Sequence, residues 1–215
     1  MRVKICGIHD ETDLANAVKA GADAVGFLVG QVHNSPDFIL SGTAARLLRK
    51  LPPAVSPVIV THLTEPAEVF DLVVRTGITT VQLHGGSTPE QAAQLRDMLP
   101  PSGKLILVQH LTCEDNFYLA KDYYRSVDAF LVDSIDEEGG RVGGTGRTND
   151  WALARKFVEY SMLPVILAGG LCGENAAAAV AQVNPYAVDA NSRLKTDCAV
   201  DYEKCAAFVR AAKGY

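Results

Sequence analysis

The amino-acid sequence predicts an α/β fold, a (β/α)8 barrel formed as a single domain over residues 1–215. Eight short apolar runs rich in Val, Ile and Leu recur along the chain without strict polar alternation. Strands of that kind are buried on both faces, as in a parallel sheet. Segments with helical spacing separate them, so strand and helix alternate to the count of a closed barrel. No G-x-G-x-x-G follows the first strand, which disfavours a doubly wound open sheet.

The first strand is VKICGI (3–8). The helix after it, ETDLANAVKAG (11–21), sets Leu14, Ala17 and Val18 on one face and ends on Gly21, a natural C-terminal cap. AVGFLVG (24–30) is the second strand and SGTAARLLRKL (41–51) its helix. VSPVIVT (55–61) with EPAEVFDLVVRTG (65–77) makes the third pair, and TTVQLHG (79–85) with TPEQAAQLRDML (88–99) the fourth. Pro66 and Pro89 stand in first turns, where a missing N–H removes no helical hydrogen bond. KLILVQH (104–110) is the fifth strand, followed by the less regular EDNFYLAKDYYR (114–125). VDAFLVDS (127–134), the sixth, leads into the longest irregular stretch, Ile135 to Asn149. Its DEEGGRVGGTGRT reads as a mobile active-site loop. NDWALARKFVEY (149–160), LPVILAGG (163–170), CGENAAAAVAQV (172–183), PYAVDAN (185–191) and DYEKCAAFVRAAK (201–213) complete the alternation.

The bulk chemistry narrows the function. A net charge of −5 leaves no broad basic face, so no nucleic-acid partner is expected. No apolar run reaches the length of a membrane span and no secretory leader is visible, so the expected location is cytoplasmic, with no membrane partner. The cysteines, Cys6, Cys113, Cys172, Cys198 and Cys205, are odd in number and form no C-x-x-C pair. Free thiols in a reducing compartment follow. His9, His33 and His62 show no ligand spacing, so no metal is predicted.

In such a barrel the chemistry belongs at the C-terminal strand ends. Those ends carry Cys6-Gly7, Gln82-Leu83-His84-Gly85, Gln109-His110, Asp133-Ser134, Ala168-Gly169-Gly170 and Asp189-Ala190-Asn191-Ser192. Cys6 and Asp133 are one thiol and one carboxylate at equivalent ends; they read either as packing and loop-capping residues or as an acid/base pair. Gly143-Gly144-Thr145-Gly146 precedes a helix, Gly169-Gly170 follows the seventh strand, and Asn191 and Ser192 follow the eighth. Loops after the last two strands of a barrel often hold phosphate through backbone N–H groups. Gln82 and His84 complete the substrate-binding candidates on the fourth strand.

KICGI, GADAVGF, VQLHG, LVDS followed by GGTG and DW, LAGGL followed by ENAAAAV, and AVD run from Val3 to the closing AAKG. In that order they resemble the phosphoribosylanthranilate isomerase family of tryptophan biosynthesis. The resemblance implies a monomeric or homodimeric barrel that uses no cofactor and no metal. The implied substrate is a small phosphorylated sugar: N-(5′-phosphoribosyl)anthranilate, an aminoaldose, becomes 1-(2-carboxyphenylamino)-1-deoxyribulose 5-phosphate in an Amadori rearrangement. It also implies Cys6 as general base and Asp133 as general acid. A neutral thiol is a poor base, so Cys6 is expected to be partly thiolate through loop amides and helix N-termini, and Asp133 to hold its proton near neutrality.

Two positions depart from the family pattern. The family usually carries Ser-Pro-Arg after the second strand; this chain has Ser35-Pro36-Asp37. Asp37 is expected to repel the anthranilate carboxylate, so that Asp37→Arg should raise activity. After the eighth strand the usual Val-Ser-Ser-Gly-Val-Glu is replaced by Ala190-Asn191-Ser192-Arg193-Leu194-Lys195. Arg193 at the glycine position is expected to be strained, and Arg193 and Lys195 to hold phosphate by their side chains. A barrel that isomerises a different phosphorylated sugar is the alternative, and a non-catalytic ligand-binding barrel a third reading, one that retention of both Cys6 and Asp133 disfavours.

Overall fold

A computed structural model describes residues 1–32, 35–133, 135–136, 141–142 and 150–215. Eight parallel strands close into a barrel: β1 (Arg2–Ile5), β2 (Ala24–Leu28), β3 (Ser56–Thr61), β4 (Thr80–Leu83), β5 (Lys104–Gln109), β6 (Ala129–Val132), β7 (Val165–Leu167) and β8 (Ala187–Ala190). Each strand pairs with its sequence neighbours, and β8 pairs back onto β1 in the register Lys4↔Asp189 and Ile5↔Ala190. Helices follow as α1 (Glu11–Lys19), α2 (Ser41–Leu48), α3 (Pro66–Thr76), α4 (Pro89–Met98), α5 (Asn116–Ala120), α6 (Trp151–Tyr160), α7 (Ala176–Val183) and α8 (Tyr202–Lys213).

The strands lack polar alternation because both faces are covered. Val3, Ile5, Val25, Phe27 and Phe130 belong to the layer packed under the helices with Phe157 and Phe208. Cys6, Leu28, Val58, Val60, Ile106, Val108, Leu131 and Ile166 fill the barrel interior. Complete burial of side chains such as Phe27 and Phe130 contributes about 1.5–3 kcal/mol each.

The helix boundaries follow local chemistry. Asp10, Asp150 and Asp201 cap α1, α6 and α8 through their side chains, and Thr88 forms a capping box with Gln91 on α4. Such caps contribute about 1 kcal/mol each. Gly21 and Gly77 take positive φ just past α1 and α3, where a Cβ would be strained. The irregular fifth segment forms only the five-residue α5 and a 3-10 turn, Lys121–Tyr123.

Between β6 and α6, Ile135–Asp136 and Arg141–Val142 make a two-residue antiparallel ladder. Ser134 and, within the expected loop, residues 137–140 and 143–149, which include the expected phosphate-binding Gly144 and Gly146, lie outside the described residues. No helix among the described residues is long and apolar enough to cross a membrane.

Candidate active site

β1 ends between its two neighbours. Cys6 N–H donates to Ala190 O (2.9 Å), and the N–H groups of Gly7 and Ile8 both donate to Gly26 O (3.0 and 3.1 Å). This turns the Cys6 side chain into the barrel interior, where it is 6% exposed. Room for the sulfur comes from β2. A Cβ on Gly26 would lie 2.6 Å from Cys6 Sγ and 3.2 Å from Lys4 Cε.

Below the thiol lies a buried ion pair: Asp189, read from the sequence only as part of the eighth strand's end, and Lys4, to which the sequence assigned no role. Lys4 and Asp189 face one another on paired strands, with Nζ–Oδ2 at 2.8 Å. A visible signal existed: each is a lone charge inside an apolar run, in VKI and AVD, and almost no charged residue is fully buried unpaired.

The pair also corrects the expectation for the thiol. Burial pushes Cys6 up, and the Lys4 ammonium pulls it down while Asp189 and Asp37 push it further, to about 11. Cys6 is therefore a protonated thiol at neutral pH in the free protein, and Lys4 is the group that favours its thiolate. In protein carrying Cys113→Ser and Cys198→Ser, the exposed cysteines, alkylation of Cys6 by iodoacetamide should still climb about tenfold per pH unit between pH 8 and 10. A plateau by pH 8 in peptide mass spectra would mean a depressed thiol pKa.

Asp133 follows β6, is 7% exposed, and donates its backbone N–H to Gln109 O. His84 Nε2 approaches Asp133 Oδ2 at 3.7 Å. His84 stands in a row of rings with His62 and His110, centroids 4.9 and 5.9 Å away. Burial lowers His110 against a partly opposing hydrogen-bond contact with Asp133 O. Gln82 is buried, its Nε2 3.4 Å from His84 Nδ1, so it braces that ring.

A cleft beside Asp133 is lined by Gly169, Gly170, Asn191, Ser192 and Arg193, which brings five of the expected binding residues together, with Gln82, His84 and Asp37 outside its lining. Gly169 and Gly170 have φ of +87° and +62°. Asn175 braces the loop, donating to Gly170 O and accepting from Cys172 N–H. Arg193 lies in a 3-10 turn, Ser192–Leu194, and among the described residues positive φ outside glycine occurs at Asn184, Asp197 and Cys198. The strain expected at Arg193 is absent because the chain turns by a short helix there. Its guanidinium reaches Cys172 Sγ at 3.5 Å.

Asp37 is not the unpaired carboxylate the sequence suggests. It is 7% exposed. Its Oδ1 accepts from Lys195 Nζ at 2.6 Å and lies 3.1 Å from His9 Nε2. Its Oδ2 accepts from Asn191 Nδ2 at 2.6 Å. The acid that replaces the usual arginine and the lysine that replaces the usual glutamate thus form one ion pair. Lys195 points across the mouth to Asp37 and to Gly7 O (2.8 Å), away from the phosphate role expected for it.

Comparison with known proteins bears on the family and the barrel. The family model described as N-(5'phosphoribosyl)anthranilate (PRA) isomerase matches residues 3–211. An N-(5'-phosphoribosyl)anthranilate isomerase 2 of Methanosarcina mazei is 44% identical over 91% of this chain and 86% of its own length. The crystal structure of phosphoribosyl anthranilate isomerase from Thermotoga maritima superposes with a TM-score of 0.85 at 31% identity, with 100% of both chains covered. A phosphoribosyl anthranilate isomerase in complex with reduced 1-(o-carboxyphenylamino)-1-deoxyribulose 5-phosphate gives 0.83 at 29% identity, again over 100% of both chains.

Proposed function

We propose, from the premise that this chain belongs to the N-(5'-phosphoribosyl)anthranilate isomerase family, that Cys6 and Asp133 are the base and acid of its Amadori rearrangement. The observation that carries the assignment is their placement. Both are buried at C-terminal strand ends, on β1 and β6, which stand three places apart around the closed barrel.

Asp133 gives its proton to the furanose ring oxygen. The C1′–O bond breaks, and the nitrogen lone pair forms a protonated Schiff base. Cys6 first gives its thiol proton to solvent and then, as thiolate, removes the proton from C2′. The C–H electron pair becomes the C1′–C2′ double bond and neutralises the iminium, leaving an enolamine. That enol loses its hydroxyl proton and gains one at C1′ to give the aminoketose. Lys4 lowers the cost of forming the thiolate beside it, and His84 borders the Asp133 carboxylate. General acid and base steps of this kind contribute about 10²–10⁴-fold each.

The phosphate is assigned to the Gly169-Gly170 loop and the Ser192-Arg193 turn. Support comes from the positive φ of both glycines, which opens the backbone to an anion, and from Arg193 at the same cleft. The test is turnover of N-(5′-phosphoribosyl)anthranilate, followed by loss of its fluorescence, in protein dialysed against chelator. Expected are turnover without added cofactor and competitive inhibition by inorganic phosphate. Absence of turnover at millimolar substrate would overturn the reading.

A further inference from the structure

We propose that Lys195 and Asn191 recognise the anthranilate half of the substrate, Lys195 taking its carboxylate and Asn191 Oδ1 its anilino N–H, with Asp37 as the anchor that aims both. The inference rests on the isomerase reading of this site.

The two side chains converge beside the base. A Cβ on Gly7, the residue after Cys6, would lie 2.4 Å from Asn191 Oδ1, 2.7 Å from Lys195 Nζ and 2.9 Å from Asp37 Oδ2. Only a glycine there lets the three meet, and its φ of +77° suits one.

Each group keeps one capacity unspent. An ammonium has three hydrogens, and among the described residues Lys195 uses two, on Gly7 O and Asp37 Oδ1. Asn191 spends its amide on Asp37, and its buried Oδ1 has no hydrogen-bond partner among the described residues. Asp37 also decides which way that amide faces, since a carboxylate accepts only the NH2 end. A buried acceptor without a partner costs about 1–3 kcal/mol, which a ligand N–H would recover.

The result is a donor cation next to a neutral acceptor. An ortho-aminobenzoate carries the complement, a carboxylate next to an N–H. The other cations near the mouth are placed for other work. Lys4 lies beneath the thiol and is matched by Asp189. Arg193 stands with Gly169 and Gly170, at the phosphate end.

The test compares N-(5′-phosphoribosyl)anthranilate with N-(5′-phosphoribosyl)aniline, which lacks the carboxylate. Lys195→Met alone leaves Asp37 buried and unpaired, so the variant of choice is Asp37→Asn/Lys195→Met, with Lys195→Arg as the charge-retaining control. The neutral pair should raise KM for the anthranilate substrate about 10- to 100-fold. Its KM for the aniline substrate, whose N–H still meets Asn191 but which has no carboxylate to lose, should rise far less, so the effect reads as a collapse of the preference between the two substrates in KM. Lys195→Arg should keep the discrimination. Equal losses on both substrates, or a loss confined to kcat, would overturn the proposal.

Wild-type protein crystallised with reduced 1-(o-carboxyphenylamino)-1-deoxyribulose 5-phosphate decides the same point without a variant. The carboxylate should sit within hydrogen-bond distance of Lys195 Nζ, and its placement on another cation would refute the assignment. Wild type inactive on both substrates would mark failure of the isomerase reading itself.

Discussion

Replacing Cys6 with alanine should lower kcat about 10²–10⁴-fold while leaving the fold intact. The thiol belongs to the interior cluster and not to the layer packed under the helices, so its loss leaves a small gap beside Gly26 and Lys4 and costs little stability. Its charged neighbours among the described residues are committed to partners, Asp37 to Lys195 and Asn191. Lys4 is engaged with Asp189 and lies below the mouth, and Asp133 belongs to a strand three places away around the barrel. Cys6→Ser keeps the shape but offers a far weaker base, so it should be nearly as inactive. Asp133→Asn should fail to a similar extent, since an amide has no proton to give the ring oxygen. Retention of near-wild-type kcat by either variant would remove that residue from the mechanism.

The same cysteine ties alkaline stability to the site. Its folded pKa, about 11, is raised from 9.0, first by burial. A thiol whose folded pKa lies above its unfolded value contributes stability that is fully present below the unfolded pKa and is lost as pH rises through the folded one. Melting temperature should therefore fall between pH 9 and 11 more steeply in wild type than in Cys6→Ala. Identical slopes would show that the thiol does not report its burial to the folding equilibrium.

Asp37→Arg should destabilise the protein and lower its activity, the reverse of what the family comparison at that position alone predicts. The carboxylate is buried among Lys195, Asn191 and His9. An arginine there removes the partner of one buried cation and adds a second. Breaking a buried ion pair by removing one member costs about 3–5 kcal/mol, which for a chain of this size corresponds to a fall of roughly 10 °C in Tm. Restoring opposite charges in the reversed order, Asp37→Arg/Lys195→Glu, should recover most of that fall. Thermal melts of the two single variants and the double variant form a cycle, and additive losses would mean that the two side chains are not coupled.

Much of this molecule is readable from the chain. The strands announce themselves because burial on both faces removes polar alternation, and the helices because one apolar stripe must face the sheet. Cys6 and Asp133 were visible because a barrel's chemistry collects at strand ends, and Gly169-Gly170 because two adjacent glycines after β7 mark a close backbone approach. Lys4 and Asp189 each interrupt an apolar run, but a charge inside a strand gains its meaning only from the neighbour that pairs with it. Gly26 carried no signal at all, as AVGFLVG reads equally well with a glycine whose space is used by another strand's thiol.

Element order, barrel closure and the candidate acid and base depend on periodicity and on position along single strands, so the chain alone carries them. The charges acquire their roles only when the chain folds. Asp37 and Lys195 are 158 positions apart, and each taken singly reads as a substitution hostile to the family's substrate. Barrel closure brings the loops after β2 and β8 together over Gly7, and there the two reversals neutralise one another. The same closure buries Cys6 above Lys4 and Asp189, so the state of the thiol follows from desolvation and a cation on its own strand. A charge's effect depends on what stands within a few ångströms of it, and that distance is a property of the folded chain.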